Sequence, residues 1–185
     1  EGMEREILQR VKEGDQEAFE LLYNKYADYA LRVATAITRS EITAADAVQE
    51  SFIRVYHYIV DFDLNRPFQP WLYRILINEC NRLMKKKGKT VSISDYLEND
   101  MSFAKDDIHQ FEEYELLYKA IGKLDDINRI PIVLKYLKGF SEAEIAEILA
   151  INQNTVKSRL YKGRQKIKKF MEKFEERRRS NEGNI

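Results

Sequence analysis

Residues 140–169 read FSEAEIAEILAINQNTVKSRLYKGRQKIKK, two helical patterns on either side of the short break INQN. Ser141 followed by Glu144 is a capping box, in which each side chain satisfies the other residue's backbone N–H at a helix start. Ile145, Ala146, Ile148 and Leu149 give the first helix its apolar face. Asn152 or Asn154 can cap the second. Val156, Leu160, Ile167, Phe170 and Phe174 recur at helical spacing as a dry stripe, and the remaining face carries Lys157, Arg159, Lys162, Arg164, Lys166 and Lys168. Seven of the thirteen residues from Lys157 to Lys169 are basic and none is acidic, whereas a merely solvated helix mixes signs in i,i+4 pairs. A short helix, a tight turn and a longer basic helix make the helix-turn-helix plan. Its second helix enters the DNA major groove with its N-terminal residues first. Asn154, Thr155, Lys157, Ser158 and Arg159 then face base edges and nearby phosphates, with arginine able to read guanine through two bonds. Lys162, Arg164 and Lys166 suit phosphates, which add affinity without sequence information.

Outward from this motif, the 185-residue chain is 44% hydrophobic and 34% charged, with only 7 Gly and 3 Pro. So few breakers in a Leu-, Ile-, Glu-, Lys- and Arg-rich chain predict an all-α fold. The N-terminal part shows four helical patterns, over about 4–13, from about Asp15, from about Thr43, and from Pro70 to about Lys87. Residues 89–115 hold eight acids and two lysines, so 89–113 reads as an acidic, flexible linker. Periodicity resumes at Tyr114, first through Leu116, Leu117, Ala120, Ile121 and Leu124, then through Ile130, Ile132, Val133, Tyr136 and Leu137. The expected organisation is a helical bundle over 1–88, the linker, a helix-turn-helix domain over 114–175 and a flexible tail over 176–185. The chain has 31 basic and 31 acidic residues, so its formal neutrality is a sum over segments of opposite sign.

Several function classes are set aside by what the sequence lacks. The chain has no Gly-rich phosphate loop, and its two histidines, His57 and His109, stand apart. Cys80, the single cysteine, sits on an apolar helical face and rules out an internal disulfide. We therefore expect no catalytic residues, no metal and no cofactor. No apolar run is long enough for a membrane span and EGMEREIL has no signal-like core, which predicts a cytoplasmic protein without membrane insertion.

Three constellations mark the N-terminal part. In PWLYRILINECNRLMKKKGK, residues 70–89, Leu72, Leu76, Cys80 and Leu83 form a core face, while Arg74, Asn78, Asn81 and Lys85 form a polar stripe opposite. Trp71 and Tyr73 add aromatic surface at its start. They suit base stacking in a single strand as well as they suit core packing. The loop DFDLNRPFQP, residues 61–70, with Phe62 and Phe68, can form a pocket for an extruded base. In ADAVQESFIRVY, residues 45–56, Asp46, Gln49, Glu50 and Ile53 lie opposite Val48, Phe52 and Val55. An acidic and amide patch beside an apolar residue suits a basic protein partner rather than DNA.

Taken in order, D-A-V-Q-E-S-F-I-R-V-Y, P-W-L-Y-R-I-L-I-N, F-S-E-A-E-I-A-E-I-L and T-V-K-S-R-L-Y-K-G-R resemble the bacterial extracytoplasmic function (ECF) sigma factors, over most of residues 14–87 and 114–170. The resemblance implies a promoter-specificity subunit of RNA polymerase with two helical domains, regions 2 and 4. It implies that Asp46, Gln49, Glu50, Phe52 and Ile53 dock on the coiled coil of the polymerase β′ subunit. It assigns Phe62, Asn65, Arg66 and Asn78 to capture of a flipped −10 base. Trp71, Tyr73, Arg74 and Arg82 fall on the neighbouring strand-opening surface. Asn154, Thr155, Lys157, Ser158, Arg159, Lys162 and Arg164 fall on the helix that reads the −35 element, in a domain that also meets the β flap. The implied partners are core RNA polymerase, promoter DNA and an anti-sigma factor, often membrane-linked. The chain departs from the family at Asn152-Gln153-Asn154, where Pro-x-Gly is common, and at Ala44 and Ala45, where a further acid is common. A stand-alone helix-turn-helix regulator and a protein-binding helical module are the alternatives.

Overall fold

The computed structural model describes residues 2–88 and 108–182, with side chains from 115 to 180 in the second range. All regular structure among them is helical, in two compact units.

The first unit holds α1 (Gly2–Lys12), α2 (Gln16–Thr38), α3 (Glu41–Tyr58) and α4 (Phe68–Gly88). Local chemistry sets the junctions. Gly14 turns with φ +88°, open to glycine at no steric cost. Asp15 then caps α2, its carboxylate accepting the Ala18 N–H at 3.1 Å and pairing with Arg10 at 2.7 Å. The Ala18 N–H first, and Arg10 after it, hold the Asp15 carboxyl below its ordinary range. Between α2 and α3 only Arg39, in the left-handed region, and Ser40 intervene. The Ser40 hydroxyl accepts the Thr43 N–H at 3.2 Å, so α3 opens two residues before the periodic pattern does. The core lies between α2, α3 and α4 and includes Leu22, Val33, Ile37, Val55, Leu72 and Leu76. Alanines 30, 34, 44 and 47 are also buried there, letting the helices approach closely.

The second unit holds α5 (Ile108–Gly122), α6 (Asp126–Ile132), most of α7 (Glu142–Leu149) and α8 (Gln153–Glu182). The linker read over 89–113 lies outside the described residues except where α5 opens, ahead of Tyr114. Pro131 has no N–H to give the ladder, and α6 passes into a π-helical turn, Val133–Leu137. The wide turn leaves the Lys138 N–H bonded to the Val133 carbonyl at 3.2 Å, and Gly139 closes it with φ +83°. The expected capping box is in place: Glu144 accepts the Ser141 N–H at 2.8 Å, and Ser141 accepts the Glu144 N–H at 3.2 Å.

Two features differ from expectation. The tail read as flexible continues α8 as helix to Glu182, because its Glu and Arg residues are good helix formers and Arg179 pairs with Glu175 at i,i+4. Phe174, read as the end of the dry stripe, is 45% exposed, and the stripe instead passes through buried Gly163.

Gly163 marks the closest approach of α8 to α6. A Cβ there would stand 2.7 Å from Cγ1 and 3.0 Å from Cδ1 of buried Ile132. Alanine normally stabilises a helix by about 1 kcal/mol over glycine. Overpacking a core costs about 1–3 kcal/mol. We predict that Gly163→Ala lowers the urea midpoint of the second unit, against helix propensity; a raised midpoint would show that the approach is not a constraint. Ala150, which ends α7, has φ +54°, a conformation costing a non-glycine residue about 1–2 kcal/mol. Ala150→Gly is expected to raise the urea midpoint of the whole chain.

Candidate nucleic-acid and protein interfaces

On α3 the inner face is buried through Ala44, Ala47, Val48, Ser51, Phe52 and Val55. What remains outward is a stripe, Ile42, Asp46, Gln49, Ile53 and Tyr56, at spacings of four, three, four and three. Glu50 is half-buried on its flank. Ile42 is 76% exposed and was not anticipated; Tyr56 is 46% exposed with its ring edge-on to Phe19. Phe52, expected at the docking face, is instead buried, its ring 4.8 Å from that of Tyr23. Beside the stripe, a groove of about 420 Å³ between α2 and α3 is lined by Tyr23, Asn24, Ala27, Asp28, Leu31 and Gln49. A polar stripe with apolar ends beside a groove suits a protein helix carrying cations.

The loop after α3 starts from the 3₁₀ turn Ile59–Asp61. Phe62, assigned to the base pocket, turns inward and is only 4% exposed. Its ring lies 4.8 Å from Trp71 and 5.8 Å from Phe68, which also packs 5.3 Å from Tyr26. Burying these rings is worth more than exposing them to an intermittent ligand, so they form the floor beneath the loop. Tyr73, also expected on the strand-opening surface, is 1% exposed, and burial pushes its hydroxyl pKa upward. Trp71 is half-buried. The outward groups of α4 are Arg74, Asn78, Arg82 and Lys85, and those of the loop are Asn65 and Arg66 with Asp61 and Asp63 beside them; the acidic neighbour on α4 itself is withdrawn.

That neighbour is Glu79, only 3% exposed. Its two oxygens bridge helices, meeting Arg54 of α3 at 2.5 Å and Arg82 of α4 at 2.8 Å. A buried carboxylate is tolerated when it is paired and hydrogen-bonded. The signal was available: Glu79 follows Leu76 by three and Leu72 by seven, which places it on the core face. Cys80 beside it is buried, and burial pushes its thiol pKa up to about 12, so it is no nucleophile.

In the helix-turn-helix, the turn is made by Ala150, and the Ile151 N–H reaches back to the Ala146 carbonyl at 3.1 Å. Asn152, not Asn154, caps α8. Its Oδ1 accepts the Thr155 N–H at 2.7 Å and the Thr155 hydroxyl at 2.9 Å. Val156 and Leu160 are buried, and Asn154, Lys157, Ser158 and Lys162 face out, with Arg159 half-buried. Tyr161, unanticipated, is 59% exposed among them. Further along, Arg164 donates to the Tyr136 hydroxyl at 3.1 Å and Lys166 pairs with Asp125 at 3.2 Å. Part of the basic cluster thus braces the unit. Among the described residues, no group of three His, Cys, Asp or Glu side chains is arranged to hold a metal, and no helix is long and apolar enough to cross a membrane.

Residues 22–90 match the family described as Sigma-70 region 2, and residues 114–167 the family described as Sigma-70, region 4. The chain is 35% identical to the ECF RNA polymerase sigma factor SigW of Bacillus subtilis (strain 168), over 91% of this chain and 97% of that protein. It is 33% identical to the ECF RNA polymerase sigma-E factor of Haemophilus influenzae, over 87% and 91%. Among solved structures, CnrH in complex with the cytosolic domain of CnrY is similar, with a TM-score of 0.69 at 25% identity over 91% of this chain and 97% of that one. The sigma factor RpoE of Bartonella quintana, solved with the anti-sigma factor NepR, shares the fold, with a TM-score of 0.70 at 23% identity over 83% and 96%.

The cap assignment is testable. Replacing an Asn cap by Ala costs about 1 kcal/mol, and Asp caps equally well. Asn152→Ala should lower the melting temperature of the second unit and Asn152→Asp should preserve it. Equal loss in both would mean that the amide nitrogen, not Oδ1, matters.

Proposed function

The chain belongs to the extracytoplasmic function (ECF) family of RNA polymerase sigma factors, and on that premise we propose how its surfaces divide the work of initiation. The outer stripe of α3, with Asp46, Gln49, Glu50 and Ile53, docks on the β′ coiled coil of core RNA polymerase. Loop 62–67 and the outer face of α4, with Asn65, Arg66, Arg74, Asn78 and Arg82, capture and hold the melted −10 strand. Phe62 and Tyr73 support that surface from beneath, and Trp71 closes its edge. Asn154, Thr155, Lys157, Ser158, Arg159 and Lys162 at the start of α8 read the −35 duplex, with Arg164 near phosphate and the domain held to the β flap. An anti-sigma factor restrains the free protein by covering the α3 stripe. The chain carries no catalysis of its own, since nucleotide addition belongs to the core enzyme, and it acts in the cytoplasm where that enzyme is. The domains are 1–88 for region 2, 89–113 for the connecting segment and 114–175 for region 4.

The observation that carries this reading is the sorting of charge by surface. The α3 stripe is acidic and apolar, whereas the α4 and α8 faces present amides and cations. Acidic surface repels phosphate and attracts a basic protein; basic surface does the opposite.

The test uses core polymerase with and without the chain. Asn78→Ala should slow promoter opening on the order of tenfold, as loss of a base contact of about 1–3 kcal/mol implies. Closed-complex formation should be retained. Lys157→Ala with Arg159→Ala should weaken closed-complex binding and lower the salt slope by about one to two. Binding to core should survive in all of them and fall in Asp46→Lys. Failure of the wild-type chain to bind core polymerase would end the proposal.

A further inference from the structure

Helix α1 contributes nothing to the surfaces assigned above, yet two of its side chains reach loop 62–67. The Lys12 ammonium donates to the Phe62 carbonyl at 2.7 Å, in a part-buried contact. The Arg5 guanidinium donates to Asn65 Oδ1 at 3.3 Å. Arg5 and Lys12 are seven residues apart, two helical turns, so they lie on one side of α1. Leu8 and Val11 between them are buried, which fixes that side against the unit.

The loop is also braced from within. The Asp63 carboxylate accepts the Asn65 N–H at 2.9 Å, and the Asp63 carbonyl accepts the Arg66 N–H at 3.0 Å, making a turn over 63–66. Phe62 anchors the start of the turn by its ring, and Lys12 anchors it by its carbonyl. Arg5 then determines which way the Asn65 amide faces. A guanidinium only donates, so the partner atom must be the carbonyl oxygen. The two N–H donors of Asn65, which is exposed, are left for a ligand.

We propose that Arg5 and Lys12 are positioning residues for base capture: together they set loop 62–67, and Arg5 turns the Asn65 N–H donors toward a base edge made of acceptors. The favoured groups are carbonyl oxygens and unprotonated ring nitrogens; an edge led by an exocyclic amine is disfavoured. The inference rests on the reading of loop 62–67 as the base-capture element.

The experiment takes holoenzyme assembled from core polymerase and the full chain, and a single-stranded oligodeoxynucleotide library randomised across the −10 element. Sequencing the bound fraction gives the enrichment of each base at each position. Asn65→Ala should collapse the preference at one position. Arg5→Met and Lys12→Met should each lower that same preference on the order of fivefold, the effect of one hydrogen bond. Core affinity and melting temperature should hold, and Lys12→Arg should restore the preference. If Asn65→Ala changes nothing, the base-capture reading of the loop fails and takes the inference with it. If Asn65→Ala collapses the preference while both Met variants stay within about twofold, the inference alone is overturned. It is equally overturned if the Met variants lose core affinity and melting temperature in step with the preference, since the helix would then be only structural support.

Discussion

The contact of Gly163 with Ile132 sets how near α8 lies to α6, and the presentation of the recognition helix depends on that distance. Val156 and Leu160 on the same helix are buried, and the Lys157, Ser158 and Lys162 side faces outward. Lys166 with Asp125 and Arg164 with Tyr136 pin the following turns. In the first unit Glu79 has the corresponding place, joining α3 to α4 through two arginines. Helices α3 and α4, which we propose face the polymerase and the melted strand, are thereby held as one body. Loss of its arginine partners would leave a buried carboxylate uncompensated, which is costlier than the pair is favourable.

Formal neutrality is consistent with this division. A stand-alone regulator must hold phosphate by its own charge, and its affinity collapses with salt. A subunit that acts inside a larger enzyme needs only local fields, which extend about a Debye length, ~8 Å at physiological ionic strength. Basic faces on α4 and α8 and an acidic stripe on α3 provide those fields without a net charge.

Local chemistry was the part of this structure most legible in the sequence. Asp15 with Ala18 and Ser141 with Glu144 act over three residues, so their roles show in the spacing alone. Most of the dry and wet faces of α3 and α4 was legible for the same reason, Tyr73 and Glu79 excepted. What was misread depends on distant partners. Phe62, Phe68 and Tyr73 stand in or beside a polar loop, and only the arrival of Tyr26 and the packing of α4 make them core. Ala150 carries no turn signal, because a glycine or asparagine would normally hold its conformation. The Glu79 bridge was open to a stricter use of helical spacing; its partner Arg54, one helix away, was not. The contacts of Arg5 with Asn65 and of Lys12 with Phe62 span 60 and 50 residues and have no trace in the pattern.

The most direct test of the central claim is transcription from a randomised promoter library with core polymerase alone, the chain alone and the two together. The account predicts transcripts only from the combination, from templates enriched for two separated elements, one read as duplex and one melted. Saturable binding of the chain to a palindromic site without core polymerase, and no enriched transcripts with it, would contradict the account.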